Sequence, residues 1–322
     1  MTMTMSRRVF GLGALATMPL LMGLASSRSG GLQVGIQTFS FRDMLGQPGD
    51  MIDNMIMATK ELGLDLVELF EPTILPLALV KESMSSPQMQ AAIYARSKTP
   101  VTDAQQALRE KFRAWRLETP TTHFTAIRRR FEAAGIRIQA FNFALNDYCT
   151  DAELERGFAI TRALGTDLMT VSMTTSMAKR CVPFAEKSHV RLGLHGHTNV
   201  DDPNEFSSPE SFAAGLALSP LYFVNLDIGH FSAAGFDPVA YLEKNHTRIC
   251  SVHIKDRKNH KGPAVTFGEG DTPIGPVVRL IRDRRWDIPA MLEYEYEGGP
   301  STPALRSCLA YVRAALAPGA SS

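Results

Sequence analysis

Several things are scarce in this chain, and each scarcity narrows what it can be. There are only four cysteines in 322 residues, Cys149, Cys181, Cys250 and Cys308, and no Cys-x-x-Cys pair. That argues against a cysteine metal site and against a disulfide-framed miniature fold, and the spacing establishes no pairing. No charge sign is in excess, with 34 basic and 33 acidic residues. A global electrostatic reason to bind nucleic acid or an anionic membrane surface is therefore missing. No Gly-x-Ser-x-Gly nucleophile motif and no dedicated phosphate loop appear. Internal repeats and low-complexity tracts are absent too. What remains is ordinary globular composition, 44% hydrophobic and 21% charged, long enough for one large core or two smaller ones.

The N-terminus reads differently from the rest. Ser6-Arg7-Arg8-Val9-Phe10 precedes an apolar stretch from Gly11 to Leu24, followed by Ala25, Ser26 and Ser27. Twin arginine before a moderate apolar core reads as a Tat-type export signal, cleaved near Ala25. The apolar stretch is short for a span of about 20 residues, although an uncleaved anchor is the alternative. Residues 1–30 are thus expected to be signal and short linker, and 31–318 a single domain. The expected address is periplasmic, with no stable membrane association after cleavage.

The remainder alternates short apolar runs with helical patterns. Strand-like runs fall at 33–39, 64–70, 136–143, 166–173, 189–195, 222–228, 249–255 and 290–296. Several are apolar on both faces, as strands of a helix-covered parallel sheet must be. Helices are expected from Asp50 to Leu62, Thr122 to Ala134, Asp151 to Leu164, after Ser208-Pro209 and Asp237-Pro238, from Thr272 to Arg285 and from Thr302 to Leu316. Eight such units predict a (β/α)8 TIM barrel. Residues 73–121 exceed a normal connection between strands two and three by about 30 residues. They include TDAQQALREKFRAWRLET (102–119), an amphipathic helix pattern, and form either a lid or specificity loop or a tolerated surface insertion.

Three apolar runs end on residues of metal-ligand type. VNLDIGHFSAAG carries Asp227 and His230, ICSVHIKDRK carries His253, and PAMLEYEYEG carries Glu293. Reactive groups of a barrel sit at the C-terminal strand ends. Singly, each has a plain structural explanation as a turn residue, a core histidine or part of a solvated face. Together they supply the carboxylate and imidazole set that one divalent ion, Mn²⁺, Zn²⁺, Co²⁺ or Fe²⁺, accepts. Strand five ends LGLHGHTN, and His195 is the expected fourth ligand, with His197 the alternative as ligand or substrate contact.

LDIGH, then VHIKDR, GEGDTPIG and a late EYE, resembles the xylose isomerase-like TIM-barrel family, whose members are described as sugar phosphate isomerases/epimerases. GIQTFSFRDML and LGLDLVELFE resemble its first two βα units, and the likeness runs over about residues 32 to 316 less the insertion. The resemblance implies a divalent metal at the barrel mouth held by Asp227, His253 and Glu293. It also implies a strand-five glutamate in the sugar epimerases, where this chain has His195. The motifs are specific for fold and metal site and unspecific for substrate.

The implied chemistry is proton abstraction next to a carbonyl through an enediolate, giving epimerisation or isomerisation. A dehydratase or keto-glycoside lyase uses the same site. Glu293 is the first candidate base, followed by Lys255 and the strand-five histidines. His230 is expected to touch a substrate oxygen, or to close its loop by a hydrogen bond. Lys255 could bind an oxyanion, act as acid or base, or pair with Glu68 or Glu295. Glu68 and Arg257 are further candidate substrate contacts. The partner is a small carbohydrate, unphosphorylated if the address is periplasmic, and a homo-oligomer is compatible with all of this. The three-zinc endonuclease branch is disfavoured, because VELFEP and AFNFAL lack the histidines it needs. A non-catalytic sugar-binding barrel is the reading from another class.

Overall fold

A computed structural model describes residues 28–45, 47–94, 100–296 and 299–319. The twin-arginine segment lies outside the described residues. Eight strands form one closed parallel sheet: β1 (Leu32–Gln37), β2 (Leu66–Phe70), β3 (Arg137–Asn142), β4 (Leu168–Val171), β5 (Arg191–His195), β6 (Tyr222–Asp227), β7 (Ile249–Ile254) and β8 (Ala290–Leu292). Each pairs with the next, and β1 pairs with β8 through Val34↔Ala290 and Ile36↔Leu292, closing the barrel. Seven fall within the apolar runs, and β1 starts one residue ahead of its run. Their near-continuous burial follows from having packed side chains inside and helices outside. A two-residue strand, Arg28–Ser29, turns back antiparallel onto Leu32 and Gln33.

The helices start where short polar side chains can satisfy free N–H groups. Asp50 accepts from the backbone of Ile52 and Asp53 and starts Met51–Glu61. Thr150 and Ser208 close reciprocal capping boxes at Asp151–Ala163 and Pro209–Leu216. Boundaries agree with the sequence pattern to within two residues at Thr121–Ala133, Ile274–Arg284 and Ser301–Ala315. Thr175–Ser188 is a helix that the pattern did not show, because Pro183 sits inside it and reads as a breaker.

The insertion is helical throughout its described length. Leu77–Ser83, Pro87–Tyr94 and Asp103–Glu118 pack on one another around a small core of Leu75, Leu79, Val80, Ile93, Leu108 and Phe112. A buried arginine joins this subassembly to the barrel. Arg116 makes a two-pronged pair with Glu71 just after β2, at 2.8 and 2.7 Å. It also meets Glu153 at 3.1 Å and donates to the Ala144 carbonyl at 3.0 Å. The planar guanidinium suits this fork, which a lysine could not fill. Among the described residues no helix is long and apolar enough to cross a membrane.

Candidate metal centre

Side chains alternate across a strand, so residues two apart share a face. On β7 this puts Ser251 and His253 inward, and Lys255 continues the row. On β6 it aligns Asn225 with Asp227, and after β8 it aligns Glu293 with Glu295. The C-terminal layer of the barrel interior is accordingly polar. Register shifts at Val67/Glu68 and Val224/Asn225 lie beside two of its members.

Glu68 is the floor of this layer. It is fully buried and accepts from Thr170 at 2.7 Å, Asn142 at 3.3 Å and Asn225 at 3.2 Å. His253 sits on it, with Nε2 2.9 Å from Glu68 and Nδ1 2.9 Å from Glu293. Burial disfavours the imidazolium, but two carboxylates outweigh it and push His253 up to about 10. The same contacts hold Glu68 below the usual carboxylate range against its own burial. Lys255 is the second buried cation. Its Nζ lies 3.0 Å from Asp227, 3.2 Å from Glu293 and 2.7 Å from Glu295. These three carboxylates outweigh desolvation and raise Lys255 above its ordinary value, so it is a held ammonium. Glu293, between Lys255 and His253, is driven well below the carboxylate range despite burial.

The remaining imidazoles are of the opposite kind. Burial first, then the neighbouring His253 charge, lowers His195; burial and the Lys255 ammonium lower His230 further. Both are neutral rings. His195 Nδ1 lies 3.2 Å from Asn225 Oδ1, which leaves Nε2 facing inward. His195, His197 and His230 crowd together, with ring centres 5.0 to 6.1 Å apart.

Donor atoms of His195, Asp227 and His253 lie within 4.8 Å of one another, as do those of His195, His197 and His230. Asp227 Oδ2 is 3.9 Å from Nε2 of both His195 and His230. That oxygen is buried and accepts no hydrogen bond, although the Lys255 ammonium is beside it. A tetrahedral ion with bonds of about 2.1 Å holds its ligand atoms about 3.4 Å apart. The set fits a divalent ion after side-chain contraction. Binding through His253 requires a free ring nitrogen, so an ion competes with the proton that Nε2 offers to Glu68 or Nδ1 to Glu293.

The four remaining sequence candidates separate here. His230 and His197 line the cavity above the cluster, together with Lys255, Glu293 and Glu295. Glu68 lies beneath the histidines, held in the interior network. Arg257 is outside the cavity lining; it binds the Gly262 carbonyl at 2.7 Å and Glu295 at 3.5 Å. Its neighbour Asp256 accepts from the backbone of Gly268, Gly270 and Thr272, which fixes the GEGDT loop. Gly229 of the DIGH stretch has a packing reason: a Cβ there would lie 2.8 Å from the Lys255 carbonyl oxygen. Asn225, Asn142 and Thr170 are supporting residues that the sequence reading missed. Their signal was a polar residue inside an otherwise apolar strand.

A closed parallel barrel with acidic and imidazole side chains gathered at its C-terminal mouth defines a TIM-barrel protein of metal-site type. The chain belongs to the xylose isomerase-like TIM barrel family, whose model matches residues 56–315. A search of curated proteins returned no match. Among solved structures, it is similar to a sugar phosphate isomerase/epimerase from Parabacteroides distasonis (17% identity, 89% of this chain and 95% of that one, TM-score 0.55). It is also similar to the E. coli 3-keto-D-glucoside 4-epimerase YcjR (11%, 88% and 99%, TM-score 0.58). A third is the IolI protein with a binding zinc atom (12%, 88% and 97%, TM-score 0.58). At these identities the likeness is one of fold.

Proposed function

We propose that the protein is a metal-dependent sugar isomerase or epimerase acting on an unphosphorylated sugar or keto-sugar by proton abstraction next to a carbonyl. The observation that carries this reading is the donor set of His195, Asp227 and His253 beside Glu293 and Lys255, with His195, His253, Lys255 and Glu293 lining one cavity. His195, Asp227, His253 and Glu293 would hold the ion. When bound, a divalent ion polarises the substrate carbonyl and stabilises the enediolate left by proton removal.

The chain's own residues do the rest. Glu293 is ionised and reaches the cavity, so it can accept the α-proton. The cations that keep it ionised also weaken it as a base. His230 is the other candidate, and the Lys255 ammonium 3.3 Å from its Nε2 weakens it as a base in the same way. Lys255, held charged by Asp227, Glu293 and Glu295, is unsuited to act as a base and is a weak proton donor, so its part is to hold these carboxylates in place.

The test is isotope exchange in D₂O with the metal-loaded protein. Deuterium entering the α-carbon of substrate or product supports the enediolate. Turnover of an authentic substrate without exchange, and without a primary isotope effect, overturns it. The twin-arginine stretch supports work in the periplasm. Replacing Arg7 and Arg8 with lysine should retain the protein in the cytoplasm, and undiminished export refutes that address.

A further inference from the structure

We infer that the insertion between β2 and β3 builds an apolar subsite, so that the substrate is a sugar conjugate carrying an aromatic or aliphatic group. This rests on the sugar reading above and narrows it. The cavity over the histidines measures about 630 Å³. That lies in the range of sites for drug-sized ligands and exceeds what one pyranose ring fills. Its two ends differ in chemistry. One end is the carboxylate and imidazole floor. The other is walled by Val80, Met84 and Ile93 from the insertion and by Phe39, Leu45 and Phe70 from the loops after β1 and β2.

That wall is built rather than incidental. Val80 and Ile93 belong to the insertion's own core, and Asn146 of the loop after β3 donates to the Ile93 carbonyl at 2.8 Å. Phe39 and Phe70 meet edge to face at 5.5 Å, with both rings half-buried. Met84 is 45% exposed, a flexible apolar side chain left open at the wall. Ser83 and Gln90 also line this part of the cavity, but its large side chains are apolar, and the hydroxyls around a free sugar ring would meet too few partners to replace their water. A phosphate group is no better served. Apart from histidines, the cations of the lining are Arg42 and Lys255. Lys255 is shared among three carboxylates. Arg42 donates to the Tyr294 carbonyl and lies over the Phe39 and Tyr294 rings, 5.0 Å from each centre. An aromatic or alkyl substituent next to the sugar ring suits both the shape and the charge of this end.

The full-length protein can be titrated calorimetrically with a panel of pyranoses, each as free sugar, 6-phosphate, methyl glycoside and phenyl glycoside. The phenyl member should bind at least about 10-fold more tightly than its methyl partner, as burying one ring implies. The phosphate should bring no gain. Met84→Ser and Leu45→Ser, made separately so that a misfolded variant does not decide the matter, should each reduce the phenyl-to-methyl ratio about threefold or more. Equal binding of phenyl and methyl glycosides, or a ratio unchanged in both variants, overturns the subsite and leaves the sugar reading standing. A panel that binds in no form overturns the sugar reading and the subsite together.

Discussion

Two buried charge clusters lie within this fold, and they are built on opposite plans. Around Arg116, every guanidinium nitrogen has a partner: Glu71 on two sides, Glu153, and the Ala144 carbonyl. Burial opposes the charge, but the carboxylates raise Arg116 above its already high ordinary value. Nothing is left over to bind a ligand. At the barrel mouth the cations are equally paired, yet His230 Nδ1 has no hydrogen-bond partner, and His230 lines the cavity. A satisfied ion network fixes geometry; one with an unpartnered ring nitrogen beside a cavity is poised for something else. The Arg116 cluster holds the insertion in place, and the mouth cluster uses the space the insertion helps enclose.

The largest effect should come from the mouth. Glu293→Gln should lower turnover by about 10²–10⁴-fold, the range of an acid–base contribution. His230→Gln separates the two candidate bases: a comparable loss assigns the proton transfer to the imidazole, a loss under tenfold to Glu293. Steady-state rates with an authentic substrate decide this. Next comes Arg116→Met, which strands Glu71 and Glu153 without a counter-charge. It should cost about 3–5 kcal/mol of stability by denaturant unfolding. An unchanged midpoint would break the contrast, because the clamp would then be ornamental.

A third effect distinguishes the clusters by their response to metal. Zinc or manganese at 100 times its dissociation constant should stabilise the protein by about 2.7 kcal/mol, read as a thermal shift that chelator reverses. Asp227→Asn should abolish the shift, and a full-sized shift in that variant would dismiss the proposed centre. Protons should oppose the ion. His253 is raised in the folded state, so its charged form stabilises the metal-free protein fully below 6.5, and that contribution fades as pH climbs toward about 10. The stability of the metal-free protein should therefore fall over that interval, and His253→Gln should flatten the profile. At the Arg116 clamp the sign is reversed. Burial notwithstanding, the Thr150 N–H and Arg116 hold Glu153 low, so its contribution is present above about 4.3 and is lost as acid is added.

Much of this was legible before any coordinates. Eight apolar runs became eight strands, since a strand covered on both faces has no polar face to disguise it. Asp227, His253 and Glu293 stood out because charged groups are rare at the ends of such runs. The pairings were not legible. Whether Lys255 would pair with Glu68 or Glu295 depends on interlocking strands, and the structure gives it Glu295 together with Asp227 and Glu293. Asn225 escaped notice because its task, accepting from His195 and donating to Glu68, appears only when the barrel closes. The helix 103–118 was readable from its 3.6-residue period, but its anchor was not. Glu71 and Glu153 lie 45 and 37 residues from Arg116 in sequence.

The smallest expected effect makes the sharpest control. Lys111 lies on the same helix as Arg116 and pairs with Glu82 at 2.6 Å, a distance as short as any in the clamp. The difference is water: the Lys111 and Glu82 side chains are 54% and 36% exposed, against 4% and 1% for Arg116 and Glu71. High dielectric and the entropy of two long side chains leave an exposed pair worth about 1 kcal/mol or less. Lys111→Ala should therefore move the unfolding midpoint barely, and less still in 0.5 M salt, where screening has already removed most of the attraction. If Lys111→Ala cost as much as Arg116→Met, the insertion would be held by surface charge along its length. Burial of the clamp would then not explain its strength, and the contrast between the two clusters would lose its physical basis.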